Sequence, residues 1–106
     1  MSKYLVVASY SSDGVKGLMQ EGGSARSAAA AAAIESVGGS LDCMYYAFGD
    51  DDVVGICDMP DSASAAAVSM MINSTGAVSL KLTPLITVEE VDAAAALTPA
   101  YRPPGS

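Results

Sequence analysis

The chain has no histidine, no tryptophan, one phenylalanine and two cysteines in 106 residues. Without histidine, the commonest general base, the commonest metal ligand and any Ser-His triad are missing. Cys43 and Cys57 alone are a thin donor set, so neither a metal nor a cofactor is expected. Cations are scarce too: five Lys plus Arg face twelve Asp plus Glu, for a formal net charge of -7. Nucleic acid and anionic membrane both need clustered positive charge, so neither is an expected partner. No apolar run approaches the roughly 20 residues that span a bilayer. Met1-Ser2-Lys3-Tyr4 enters a strand pattern at once, with no room for a signal peptide. The expected location is therefore cytoplasmic, where thiols stay reduced.

What is present reads as one small domain over residues 1–97, with a Pro-rich tail over 98–106. Tyr4 to Tyr10 is β-branched, aromatic or small throughout and predicts a first strand. Ser11-Ser12-Asp13 offers a cap for a helix whose Val15, Leu18 and Met19 share one face. Gly22-Gly23 breaks that helix, Ser24 can cap its continuation through the Ala28–Ala33 run, and Gly38-Gly39 ends it. Strands follow at Leu41 to Phe48 and at Val53 to Met59. Asp61 or Ser62 caps a helix that Gly76 ends. A fourth strand runs from Val78 to about Leu82, where Pro84 limits pairing. Thr87-Val88-Glu89-Glu90 has the capping-box pattern of a short last helix through Leu97. The order βαββαβ plus a terminal helix predicts a ferredoxin-like α+β sandwich.

Tyr45 to Phe48, Gly49-Asp50-Asp51-Asp52 and Val53 to Asp58 read as a hairpin on an acidic turn. With Lys16-Gly17-Leu18, Gly22-Gly23-Ser24-Ala25-Arg26 and Asn73-Ser74-Thr75-Gly76-Ala77-Val78, this order and spacing resembles the GYD-domain family of small bacterial proteins. The resemblance covers about residues 3 to 92. Gly49 and Asp51 match the Gly-Tyr-Asp turn that names the family, while Asp50 replaces its tyrosine. The family has no well-established activity, so the resemblance implies fold more than function.

Both faces of the sheet read as apolar. Tyr4, Val6, Ala8 and Tyr10 oppose Leu5 and Val7; Val53, Cys57 and Met59 oppose Val54 and Ile56. On the second strand, strict alternation sets Leu41, Cys43, Tyr45 and Ala47 against Met44, Tyr46 and Phe48. Two helices cover one face only, and an exposed second face of this size calls for a partner. A second copy placed sheet to sheet supplies it, giving a homo-oligomer of at least two chains. The family resemblance points the same way, to the dimeric α/β barrel type.

Candidate chemistry gathers in few places. A glycine break before a helix N-terminus exposes N–H groups to an anion, and Lys16 and Arg26 could balance its charge. Lys16, Gly22, Gly23, Ser24 and Arg26, with an aromatic wall from Tyr10 or Tyr46, form the candidate ligand site; the resemblance adds weight to the glycines and cations. The competing reading makes the glycines a kink and Arg26 a partner of Glu21. Tyr45 and Phe48 could extend an apolar cleft, or serve as core and interface aromatics. Asp50-Asp51-Asp52 could meet a hard cation, although adjacent turn residues rarely converge on one ion. If the turn centres on Asp50, Cys43 and Cys57 lie directly opposite, about 4.5–5.5 Å apart at Cα, yet reduced. No residue is assigned a catalytic role. The expected function is a non-catalytic binding or regulatory module for a small anionic or apolar ligand. The alternatives are a cofactor-independent dimeric-barrel enzyme of isomerase or monooxygenase type, and a structural self-assembly protein.

Overall fold

The computed structural model describes all residues from 1 to 106. The elements follow in the order β1 (Ser2–Tyr10), α1 (Ser12–Glu21), α2 (Gly23–Glu35), β2 (Ser40–Tyr46), β3 (Val53–Met59), α3 (Ser62–Ser74), β4 (Val78–Pro84) and α4 (Val88–Ala95). One antiparallel sheet forms in the order β2-β3-β1-β4. Two inner strands adjacent through a crossover, flanked by the strands that follow them, give the ferredoxin-like arrangement expected from the sequence.

Helix boundaries follow local chemistry. The Ser11 hydroxyl accepts from the Gly14 N–H at 3.2 Å, and the Asp61 carboxylate accepts from the Ser64 N–H at 2.7 Å, so each caps its helix. Thr87 and Glu90 form the expected capping box at the start of α4. Ser24 does not cap α2: Gly22 is the N-cap and no side chain bonds there. β4 runs past Leu82 and takes in Pro84 itself, paired with Tyr4 in register. On an edge strand its missing N–H costs no ladder bond.

The core lies on the helix-covered face. Tyr4, Val6 and Ala8 of β1 meet Val53, Cys57 and Met59 of β3 and Leu80 of β4, under Ile34 of α2 and Ala65 and Val68 of α3. Cys57 and Met59 are fully buried. The Ala-rich helices pack close but bury few residues, only Ile34 in α2 and Ala65 and Val68 in α3.

One strand departs from alternation. β2 pairs Cys43 with Ile56 but Leu41 with Cys57, so Asp42 is an extra residue in a bulge. Leu41 thereby joins Met44 and Tyr46 on the core face, packed against the core cluster. Cys43 shares the opposite face with Ile56 while Cys57 stays buried, so the two thiols are not directly opposite; both are free. β2 also ends at Tyr46, leaving Phe48 exposed in the turn. The bulged Asp42 is held by Lys3 Nζ at 2.6 Å, and the same amine reaches Asp58 at 3.1 Å. This contact raises the Lys3 pKa and lowers that of Asp42, strengthening both charges.

Asn73 ties α3 to the edge strand. Its carboxamide Nδ2 donates to the Leu80 carbonyl at 3.0 Å and its Oδ1 accepts from the Leu80 N–H at 2.7 Å. A side-chain amide thus occupies the place of a neighbouring strand.

Candidate functional site

Tyr46 closes β2 opposite buried Val53, so its ring points to the helix layer. There its hydroxyl donates to the Gly23 carbonyl at 2.8 Å. A Cβ on Gly23 would lie 3.1 Å from the ring, so a bare backbone permits this approach. The preceding Gly22 takes φ +87°, a left-handed value, and its N–H returns to the Leu18 carbonyl at 2.8 Å. α1 ends and α2 begins at this one residue. The first amides of α2 have no side-chain cap and form the positive end of its dipole.

Arg26 lies one turn in. Its Nη1 is 3.5 Å from Glu21 Oε2, a loose and partly exposed pair of the kind that contributes little. Tyr10, at the end of β1, is half-buried beside Arg26 and Tyr46. Burial first and Tyr46 second push its phenol pKa up, while Arg26 pulls the other way. The structure therefore brings Gly22, Gly23, Ser24, Arg26, Tyr10 and Tyr46 to one end of the domain. Lys16 is exposed on α1, the helix before this junction, and makes no side-chain hydrogen bond or ion pair. Tyr45 and Phe48 are outside, both largely exposed.

An open groove of about 630 Å³ runs from this junction along α2, lined by Gly23, Ser24, Ser27, Ala28, Ala31 and Tyr46. A smaller apolar depression of about 210 Å³ lies between α2 and α3. The groove joins uncapped amides and serines at one end to alanine methyls farther along, suiting a ligand with an anionic head and an apolar body.

The acidic turn has a different task from ion binding. Asp52 accepts the Tyr10 N–H at 2.8 Å and Asp51 accepts the Ser9 hydroxyl at 3.2 Å. The Asp52 N–H also donates to the Ala8 carbonyl at 2.8 Å, so the turn is latched onto the end of β1. No three acidic or thiol side chains converge. Sequence reasoning missed this latch, the Asn73 bridge and the Lys3–Asp42–Asp58 cluster. All three join distant segments, and only the amide and carboxylate residue types hinted at them.

Residues 4–95 match the GYD domain. The chain belongs to the GYD domain family. No curated protein and no solved structure matches it. In this GYD chain Gly49, Asp50 and Asp51 form the acidic turn that resembles the family's Gly-Tyr-Asp turn. Asp50, in place of the tyrosine, is exposed and makes no hydrogen bond, whereas Asp51 holds Ser9. The substitution thus falls at the solvent-facing tip of the latch.

Proposed function

We propose that this GYD protein is a small cytoplasmic homo-oligomer, at least a dimer joined sheet to sheet, acting as a non-catalytic binding or regulatory module. The observation carrying this reading is the sheet face opposite the core. Leu5, Val7, Cys43, Tyr45, Val54 and Ile56 share it by register, and no helix of the chain packs over them. Apolar residues that stay half-exposed in one copy are buried when two such faces meet, the arrangement of dimeric α/β barrels.

The proposed ligand is small and anionic or apolar, seated in the groove between Gly23 and Ala31 with Arg26, Tyr10 and Tyr46 at its head. Binding is favoured over turnover because the groove is open to solvent and the displaced titration beside it moves away from neutrality. The one shifted group at the head of the groove, the Tyr10 phenol, is raised by burial and by Tyr46. Proton transfer works best from a group poised near the working pH.

Native mass spectrometry of freshly purified protein tests the reading. The expected result is a dimer or larger assembly with a small molecule retained, lost in Arg26→Ala and kept in Lys16→Ala. A monomer refutes the oligomer. An assembly that retains nothing under any buffer supports structural self-assembly instead. Retained mass that converts with time to a product supports an isomerase- or monooxygenase-type enzyme.

A further inference from the structure

The base of the C-terminal segment, Leu85 to Thr87 with Glu90, lines a cavity of about 460 Å³ with Met1, Ser2, Lys3 and Asp58, and beyond it the segment leaves the body of its own chain. After β4 the backbone makes one tie, Leu85 N–H to the Lys3 carbonyl at 2.9 Å, and every residue from 83 to 106 is exposed. The radius of gyration is 17.0 Å, against about 13 Å for a compact chain of this length. The greatest extent is 56 Å, with 32 and 22 Å in the other directions.

The arm has the make-up of an interface. α4 is a well-specified helix with a complete capping box. Val88, Val91 and Ala95 fall on one stripe at i, i+3 and i+7, with Asp92 beside it. Ile86, Leu97 and Tyr101 extend the apolar content, and all three are exposed. Their exposure goes unrelieved within the chain.

Size gives an independent argument. The open face has four strands of about seven residues. At about 4.8 Å between strands and 3.3 Å per residue it covers roughly 440 Å² in plan. Side-chain corrugation adds to this, but a stable interface takes about 800 Å² from each partner. An arm from each copy enlarges the interface beyond the two sheet faces.

Charge says where the arm lies. Lys81 sits on the edge strand β4, opposite Val7 in register and hence on the open face. It makes no ion pair in its own chain. α4 has acidic residues at Glu89, Glu90 and Asp92, and Glu90 is engaged in the cap. From these observations we infer that the arm of one copy is a strap across the β4 side of the other copy's open face. Val88 and Val91 pack along the β4 edge, where the facing sheets diverge, and Asp92 faces Lys81 there. The inference rests on the sheet-to-sheet dimer proposed above and adds the element that completes its interface.

Sedimentation equilibrium on the full chain and on Val91→Asp tests the strap. Val91 is far from the core, so this change leaves the body folded. An unpaired carboxylate buried at the interface is expected to weaken dimerisation about tenfold or more. If the unmodified chain is a monomer at tens of micromolar, the dimer reading itself fails. If it dimerises and Val91→Asp dimerises equally well, the dimer stands and the strap is overturned. A zero-length carbodiimide applied to a mixture of unlabelled and 15N-labelled protein then tests the crossing. Coupled peptides of mixed isotope joining Lys81 to Asp92 or Glu89 are expected. Coupling within one isotope only places the arm on its own sheet and overturns the inference.

Discussion

Replacing Asn73 by alanine removes the only partner of both backbone groups of Leu80 that face away from β1. The bonds are 3.0 and 2.7 Å long, and Leu80 belongs to the core cluster. Each contributes about 1 kcal/mol net. Asn73 itself is exposed, and water relieves part of the loss at the strand edge. The expected cost is therefore about 1.5–2 kcal/mol, the upper figure applying if α3 shields the site from water. For a domain of this size that lowers Tm by roughly 6–16 °C. Thermal unfolding followed by circular dichroism, at one fixed protein concentration, is the assay, because self-association would make Tm concentration-dependent. Ser74→Ala is the control, since the Ser74 hydroxyl bonds only the Met71 carbonyl on the exposed helix surface, at 2.6 Å. Asn73→Asp keeps an acceptor for the Leu80 N–H but sets a carboxylate against two carbonyls, those of Leu80 and Ser69. It should therefore be at least as unstable as the alanine variant. If Asn73→Ala melts with Ser74→Ala, the bridge does not hold the edge strand and the reasoning is wrong.

Tyr46→Phe keeps the ring against Gly23 but deletes a 2.8 Å half-buried bond; a loss of about 1 kcal/mol in urea unfolding is expected, and an unchanged midpoint would show the hydroxyl to be idle. The Asp61 carboxyl is held below its ordinary pKa by the Ser64 N–H. Its capping contribution is thus complete above the unfolded-state value and fades as pH falls through the folded one. Asp61→Ala should then melt below the unmodified chain at neutral pH and converge with it in acid; a gap independent of pH would contradict the cap. Thiol titration should find two free groups per chain after denaturation without reductant. In the native protein only half-exposed Cys43 should react promptly, since Cys57 is fully buried and its thiol is pushed up by burial and then by Asp58 and Asp42. Prompt reaction of both would mean that β3 opens readily.

Much of the fold was legible because its signals are local. The Val53 to Met59 alternation, the Thr87–Glu90 box and the glycines that follow α1, α2 and α3 depend on neighbours a few residues away. The Asp42 bulge was not legible. A period of two has no slack, and nothing near Asp42 in sequence shows that Lys3 will draw it out of step. That one residue moved Leu41 to the core face and separated the cysteines. The candidate site was partly legible for the same reason. Gly22-Gly23 announces a helix break, but Tyr46 reaches Gly23 from 23 residues away. Lys16, grouped with Arg26 by charge and by the family resemblance, stands exposed on the preceding helix, and a lysine's charge in the sequence carries no sign of which way its helix turns it.

α1 contains no buried residue. Its moorings are gathered at its start: the Ser11 N–H and hydroxyl reach the Ala77 carbonyl at 2.9 and 3.2 Å, and the bare backbone of Gly14 lies against Ala77 and Tyr10. A helix so attached opens without disturbing the sheet, at a small fraction of the global unfolding free energy. Its amide protons should exchange with deuterium far sooner than those of β1, although the two are consecutive in the chain. Proteases should likewise cut first between Ser12 and Gly22. The most yielding stretch of backbone ends where α2 begins, so the rim of the groove at Gly23 is hinged on one side and fixed by the Tyr46 hydroxyl on the other.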